Sequence, residues 1–292
     1  MLRPKNNKTK PRIKHRPFLK WAGGKFRLTD DLNRVFPKRK QCLIEPFVGA
    51  GAVFLNSHFE RYILADINPD LINLFNIVKD NVDAYIEACK PIFFAENANT
   101  ADYYYAQREA FNQSTDPFER SVLFLYLNRF GFNGLCRYNS KNEFNVPFGA
   151  YKTHYFPEDE LRYFAHKAQS AVFLCADFQQ TFELADKHSV IYCDPPYAPL
   201  PQDTNFTGYA GNAFGLEHQK NLAECAKKAQ KEKQISVVIS NHDTKFTREI
   251  YKGAKFKRVK VQRSISQSSE KRVKVKELIA IFKGSLCRLI LD

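Results

Sequence analysis

One octapeptide limits the architecture of this chain more than any other stretch: Val190-Ile191-Tyr192-Cys193-Asp194-Pro195-Pro196-Tyr197, an apolar run that ends on an acid, two prolines and an aromatic. The run is short and rich in β-branched and aromatic residues, and the polar Lys187-His188-Ser189 precedes it. It therefore reads as a buried strand of a parallel sheet. Pro195 and Pro196 cannot continue the ladder, because each fixes φ and lacks an N–H. In open α/β sheets ligands bind beyond the carboxyl ends of the strands, so the Asp194 carboxylate and the Tyr197 ring are expected at the edge of a crevice. The proline carbonyls stay free to accept hydrogen bonds. Acceptors beside an aromatic face suit a planar amine.

An exocyclic amino group on a nucleobase is a poor nucleophile, since its lone pair is delocalised into the ring. Asp194 and the Pro195 carbonyl can accept both N–H bonds, push the nitrogen toward tetrahedral geometry and aim its lone pair at an electrophile. Tyr197 would stack on the base. The plainer alternative is a strand that ends in an ordinary Asp-Pro turn.

The rest of the chain weighs against that alternative. Gln41 to Leu55 runs from a strand through Glu45-Pro46-Phe47-Val48 into a Gly49-Ala50-Gly51 turn and then a helix, the first βα unit of a Rossmann-like sheet. The third glycine of the dinucleotide fingerprint is missing, which argues for a smaller nucleoside ligand. A second strand, Tyr62 to Ala65, ends on Asp66, an acid placed to accept from both ribose hydroxyls. S-adenosylmethionine fits that set. Upstream, Phe18 to Lys25 places Gly23 and Gly24 before Lys25, so backbone can approach a ligand there, although the spacing is not that of a P-loop. Its Trp21 is the only tryptophan, a core plug or a stacking platform.

Charge points to the partner. Of 292 residues, 45 are Lys or Arg against 31 Asp or Glu, a formal net charge of +14, and a polyanion is the natural counterpart. No apolar run approaches the roughly 20 residues of a membrane span, and the start lacks the apolar middle of a secretory signal, so a cytoplasmic protein is expected. The seven cysteines never form a C-x-x-C pair; reduced thiols are expected, with no disulfide frame and no metal site.

In chain order, residues 1–17 read as a disordered basic arm, either a solubilising tail or a phosphate-binding segment. Helical stretches at about 70–90, 101–113 and 117–128 then replace the βα rhythm. Asn128 to Asn139 reads as a loop whose Arg, Asn and aromatic side chains are those that read base edges or fill a gap in a stack. A hairpin follows, with its turn near Ser140-Lys141-Asn142 and its return through Val146. Strands at Val172 to Cys175 and Ser236 to Ser240, a helix over 216–232 and a candidate lid over 199–214 complete the core of the reading. His242 reads as a satisfied strand-end histidine in preference to a general base. Residues 252–276 hold ten Lys or Arg against one acid, Glu270, and lead into a final, partly edge-like strand over 274–282.

Phe18 to Lys25, Glu45 to Gly51, Asn128 to Asn139 and Asp194 to Tyr197 together closely resemble the Dam family of DNA adenine-N6 methyltransferases, which act on GATC. The resemblance runs from Phe18 to about Phe282, and its motif order is that of the alpha group. It implies an α/β fold: a Rossmann-like S-adenosylmethionine-dependent methyltransferase sheet over 18–69 and 158–292, with a helical target-recognition insert and β-hairpin over 70–157. It implies S-adenosylmethionine as cofactor, no metal, and double-stranded DNA as partner, bound by a monomer. Asp194, Pro195, Pro196 and Tyr197 would be catalytic. Trp21, Lys25, Phe47, Gly49, Gly51, Asp66 and Asp194 would line the cofactor site. Lys20, Leu135, Arg137, Pro147 and Tyr151 would read bases, while Phe132 and Asn133 would enter the duplex when adenine flips. The family usually shows Tyr where this chain has Phe132, a change that keeps stacking and loses a hydroxyl. The absence of any Pro-Cys site argues against a cytosine-C5 enzyme. Two rivals stay open: an RNA or protein-glutamine N-methyltransferase, which would leave the reading insert unexplained, and a DNA-binding regulator without activity, which would have no use for Asp66 together with Asp194 and Tyr197.

Overall fold

The computed structural model describes residues 13–38, 40–198, 214–262 and 274–284. The elements, in order, are α1 (Thr29–Val35), β1 (Cys42–Glu45), α2 (Ala52–Asn56), β2 (Arg61–Asp66), α3 (Pro69–Asp80), α4 (Val82–Phe93), α5 (Ala101–Gln113), α6 (Pro117–Phe130), α7 (Glu158–Ala168), β3 (Ala171–Cys175), α8 (Phe178–Glu183), β4 (Ser189–Cys193), α9 (Leu216–Glu232), β5 (Ser236–His242), α10 (Lys245–Ile250), β6 (Lys255–Gln262) and β7 (Lys274–Phe282). The strands form one seven-stranded sheet in the order β3-β2-β1-β4-β5-β7-β6. β1 to β5 are mutually parallel, and β7 runs antiparallel to both β5 and β6. The mixed α/β fold expected from the sequence is thus present.

Both faces of the sheet are covered, which is why its strands read as continuous apolar runs. Alternate residues serve two cores. Leu43, Val190, Tyr192 and Val238 face one layer with α1, α2, α3 and α7, to which α4, α5 and α6 add a helical cluster. Ile44, Ile191, Cys193, Val237 and Ile239 face the other, built on α8 and α9. Asn68 starts α3: its side-chain oxygen accepts from the Asp70 and Leu71 N–H groups, and Pro69 occupies the first turn. Asn81 closes α3 and caps α4 by accepting from Ala84 N–H, so the expected stretch over 70–90 is two helices. α6 is buried on almost every side and carries the helix on to Phe130, three residues into the expected loop.

The last strand corrects the expectation of an edge. β7 lies between β5 and β6, and β6 takes the outer position. Antiparallel pairing explains this, since β6 and β7 form a hairpin whose second strand returns into the sheet. The hairpin near residue 140 forms without a regular ladder. Two isolated antiparallel bridges, Gly131 with Phe148 and Tyr138 with Phe144, hold it, and the turn is closed by Asn139 Oδ1 accepting from the Lys141 and Glu143 N–H groups. Residues 1–12 of the basic arm and 199–213 of the candidate lid lie outside the described residues. Residues 13–17 rest on the sheet domain, where His15 stacks on Tyr163 at 3.5 Å and its N–H donates to Asn56 Oδ1.

Candidate active site

Parallel strands bring their carboxyl ends to one edge, and here three of them end on acids. Glu45 closes β1, Asp66 closes β2, and Asp194 follows β4. Asp194 pairs with Lys25, Nζ to Oδ1 2.9 Å; the Lys25 side chain is 7% exposed and that of Asp194 20%. Oδ1 is closed to solvent, and its contact with Lys25 is ionic without hydrogen-bond angles. Burial raises the Asp194 pKa above the ordinary carboxylate range, and the Lys25 charge opposes that rise. Lys25 also donates to Gly23 O at 2.7 Å and lies 4.7 Å from the centre of the Tyr197 ring.

The turn after Asp194 is pinned from three directions. Gln219 Nε2 donates to the Pro196 carbonyl at 2.6 Å, Ala198 N–H donates to Asn241 Oδ1 at 3.1 Å, and the Tyr197 hydroxyl donates to Glu277 Oε2 at 3.0 Å. His242 stands edge-on to Tyr197 at 4.8 Å with Nδ1 2.7 Å from Ala198 O, so it buttresses the turn as a satisfied strand-end residue. Tyr197 is therefore fixed by its hydroxyl and by one edge of its ring.

The glycine turn explains itself through Trp21. Gly49 has φ +48°, and a Cβ there would lie 2.9 Å from Trp21 Nε1, so both backbone conformation and close approach require glycine. Gly51, at φ 74°, stands at the N-cap of α2. Asp66 accepts from Gly49 N–H at 3.3 Å and Asn68 N–H at 3.1 Å. Burial raises its pKa, which these backbone donors offset only in part. Phe47 stacks on Phe178 with ring centroids 5.7 Å apart. Ile67 follows Asp66 and is 71% exposed, an apolar platform at the strand end. A carboxylate fed by backbone donors, a glycine cradle and an exposed apolar side chain suit a nucleoside, and so fit S-adenosylmethionine.

The expected base-reading residues form a second group. Lys20 Nζ donates to Arg129 O at 2.7 Å and stands 4.0 Å over the Tyr151 ring. Desolvation, and then the nearby Arg129 charge, push its pKa down to about 8. Tyr151 Oη accepts from Asn133 N–H at 2.7 Å, and Phe132 N–H donates to Pro147 O at 2.9 Å. Phe132 is exposed and Asn133 takes a left-handed φ of 55°. Leu135 N–H donates to Phe132 O at 3.2 Å, while Arg137 lies exposed farther along the hairpin. Lys20 to Lys25 joins this group to the strand-end acids. The structure thus brings Lys20, Phe132, Asn133, Pro147 and Tyr151 together directly, and Leu135 and Arg137 along one loop.

Sequence reasoning missed Glu45, Gln219, Asn241 and Glu277. Glu45 is 2% exposed and its Oε1 has no hydrogen-bond partner. Burial, then the charge of Asp194, drive its pKa far upward. Its signal, a strand ending on an acid, is the one that found Asp66 and Asp194. The other three reach the site only through tertiary packing and carry no local signal.

Fold and site together shape a strand edge suited to a nucleoside over β1 and β2 and to a planar amine beyond β4. The family model of the D12 class N6 adenine-specific DNA methyltransferases matches residues 21–265, and the chain belongs to that family. Its reaction is N6 methylation of adenine in DNA, with S-adenosylmethionine as methyl donor. It is 83% identical to a DNA adenine methylase of Haemophilus influenzae over 282 residues, 97% of this chain and 99% of that one. It is 58% identical to a DNA adenine methylase of Vibrio cholerae, covering 94% of this chain and 98% of the other. The Escherichia coli K12 DNA adenine methylase is also 58% identical, with 92% and 96% covered. Among the described residues no helix is long and apolar enough to cross a membrane.

Proposed function

We propose that the chain methylates the adenine of GATC in duplex DNA, after that base has swung out of the helix into the crevice beyond β4. The observation that carries this reading is the continuity of Lys20 to Lys25, which ties the half-buried Lys20 and Tyr151 of the reading cluster to the Asp194 carboxylate. Extruding the base costs a few kcal/mol of lost pairing and stacking, and the exposed Phe132 beside Asn133 is suited to fill the gap it leaves.

In the crevice, Tyr197 stacks on the adenine while Glu277 holds its hydroxyl. Lys25 occupies Oδ1 of Asp194, leaving the other carboxylate oxygen to accept one N6–H. The Pro196 carbonyl is engaged by Gln219, so the Pro195 carbonyl is the one that accepts the second N6–H. Both acceptors draw the N6 lone pair out of conjugation and aim it across the crevice. When bound, S-adenosylmethionine supplies an electrophilic methyl group. Asp66 would hold its ribose hydroxyls, and Trp21, Lys25, Phe47, Gly49 and Gly51 would frame it. In the transfer N6 would gain the methyl carbon as that carbon's bond to the donor sulfur breaks, leaving S-adenosylhomocysteine, and N6 would give up one proton, which Asp194 is placed to receive. No covalent bond to the protein forms.

Incubation with labelled S-adenosylmethionine and duplexes carrying GATC, GTAC or no adenine target, followed by nucleoside analysis, tests the reading. N6-methyladenine from the GATC duplex and only traces from the other two are expected. Equal labelling of GATC and GTAC would remove the sequence assignment.

A further inference from the structure

We infer that Asn145 is a positioning residue for base recognition: it holds one edge of the Arg137 guanidinium so that the adjacent, end-on edge faces the guanine opposite the last cytosine of GATC. This rests on the reading of Arg137 as a base-reading side chain. The hairpin sets the two residues across from each other, with Asn145 N–H donating to Arg137 O at 3.1 Å. In return Arg137 Nε donates to Asn145 Oδ1 at 2.7 Å and its Nη2 to Asn145 O at 3.1 Å. Nε–H and one of the two Nη2 hydrogens are the parallel donors of one guanidinium edge, and both go to this one residue, leaving the second Nη2 hydrogen free. What remains is the Nη1 and Nη2 pair at the tip, two parallel donors with the spacing of guanine O6 and N7.

The backbone on either side of Arg137 is anchored as well. Asn68 Nδ2 donates to Cys136 Sγ at 3.3 Å, and the Tyr138 hydroxyl donates to Asp70 Oδ2 at 2.7 Å. Asp70 is gripped in turn by Arg120, whose Nε and Nη2 each donate at 2.9 Å. An exposed arginine has several rotatable bonds, and holding one geometry costs side-chain entropy. Asn145 meets that cost before DNA arrives, and the anchored neighbours keep the pair in register. The turn over residues 139–143 thus serves recognition by placing Asn145 opposite Arg137.

The test compares kcat/KM on GATC with that on duplexes altered only at the fourth base pair, for wild type, Arg137→Ala, Asn145→Ala and Asn145→Asp, with nonspecific binding measured at two salt concentrations. Asn145→Ala keeps the backbone hydrogen bonds and is expected to reduce the preference for GATC on the order of tenfold, within the span a bidentate contact provides. Asn145→Asp retains the acceptor for Nε and should restore most of the preference. If Asn145 gripped a DNA phosphate instead, Asp would repel it, so Asn145→Asp would be worse than Asn145→Ala on every sequence; that order overturns the inference. An unchanged preference in Asn145→Ala, with Arg137→Ala still selective in its loss, also overturns it while leaving Arg137 a base reader. If Arg137→Ala weakens all sequences alike, the base-reading assignment itself falls.

Discussion

Replacing Asp194 separates its two jobs, as partner to a buried lysine and as acceptor for the substrate amine. Asp194→Ala removes both. Lys25 is 7% exposed and keeps only Gly23 O at 2.7 Å as its other close partner. Breaking a fully buried pair costs about 3–5 kcal/mol; with a fifth of the Asp194 side chain open to solvent, about 1–3 kcal/mol is expected, read as a lower midpoint in denaturant. The chemical loss is larger in rate. Removing one positioned group that stabilises charge in the transition state lowers kcat by roughly a hundred- to a thousandfold, or about 2.7–4 kcal/mol. Asp194→Asn keeps the shape and one carbonyl acceptor but not the charge, so its single-turnover rate should fall between wild type and Asp194→Ala. DNA affinity at fixed salt should change little in both, because the reading residues belong to the loop and hairpin. The assay is single-turnover methylation of a GATC duplex with labelled S-adenosylmethionine, run beside an equilibrium binding titration. A folded Asp194→Ala protein with near-normal single-turnover methylation would place the chemistry elsewhere.

Lys20 should make DNA binding take up protons: its pKa of about 8 must rise when guanine acceptors or phosphates face the ammonium, so affinity for GATC should weaken as pH climbs from 7.5 to 9.5 and Lys20→Met should flatten that slope. Calorimetry in buffers of different ionisation heat reads the uptake directly, and an equal slope in the variant would refute the assignment. Glu45 has a folded-state pKa far above its unfolded value, so its contribution to stability is greatest at low pH and is lost as pH rises through the window above about 4.5. Glu45→Gln should therefore lose less stability than wild type between pH 5 and pH 8 in urea titrations, and an equal loss in the two proteins would show that Glu45 is ionised in the fold.

Much of the sheet was readable because two-sided burial leaves a run of apolar residues with a polar stop. β1, β2 and β4 each announce themselves in this way, and each stop is an acid at the ligand edge. The helix expected over about 216–232 is present as α9. Strand order was not readable where β7 enters between β5 and β6, since periodicity records which face a residue takes and not which neighbour it pairs with. β6 mixes Lys and Arg with apolar residues, and its alternation slips a phase at Arg258, so no single period of two marks it. At the site, Asp66 and Asp194 were legible because each sits at the end of its own strand. Glu277 was not, because its role depends on β7 lying beside β5, 80 residues from Tyr197 in the chain. The hairpin was legible from its turn residues, but its purpose was not, as only the three-dimensional register sets Asn145 on Arg137.

Lys20 to Lys25 makes recognition and chemistry mechanically dependent on each other. Lys20 is locked at one end: its backbone N–H donates to Asn128 Oδ1 and its carbonyl accepts from Asn128 Nδ2, both at 2.8 Å. A Cβ on Gly134 would lie 2.1 Å from Lys20 Cβ, so the reading loop packs directly on the lysine stem with no slack. At the other end Lys25 is held by Asp194 and Gly23. Between them Trp21 fills the cradle over Gly49, and Gly24 N–H closes the turn on Trp21 O at 3.2 Å. A shift of the reading loop must therefore pass through Lys20 and the Trp21 turn toward the lysine that sets the charge of Asp194. Interiors packed this closely transmit displacement because no void absorbs it. A chain that read bases on one module and transferred methyl groups on another, joined by a flexible linker, would lack that dependence. Here one six-residue segment, Lys20 to Lys25, touches Tyr151 of the proposed reading cluster at one end and Asp194 at the other, with Trp21 against Gly49 between them.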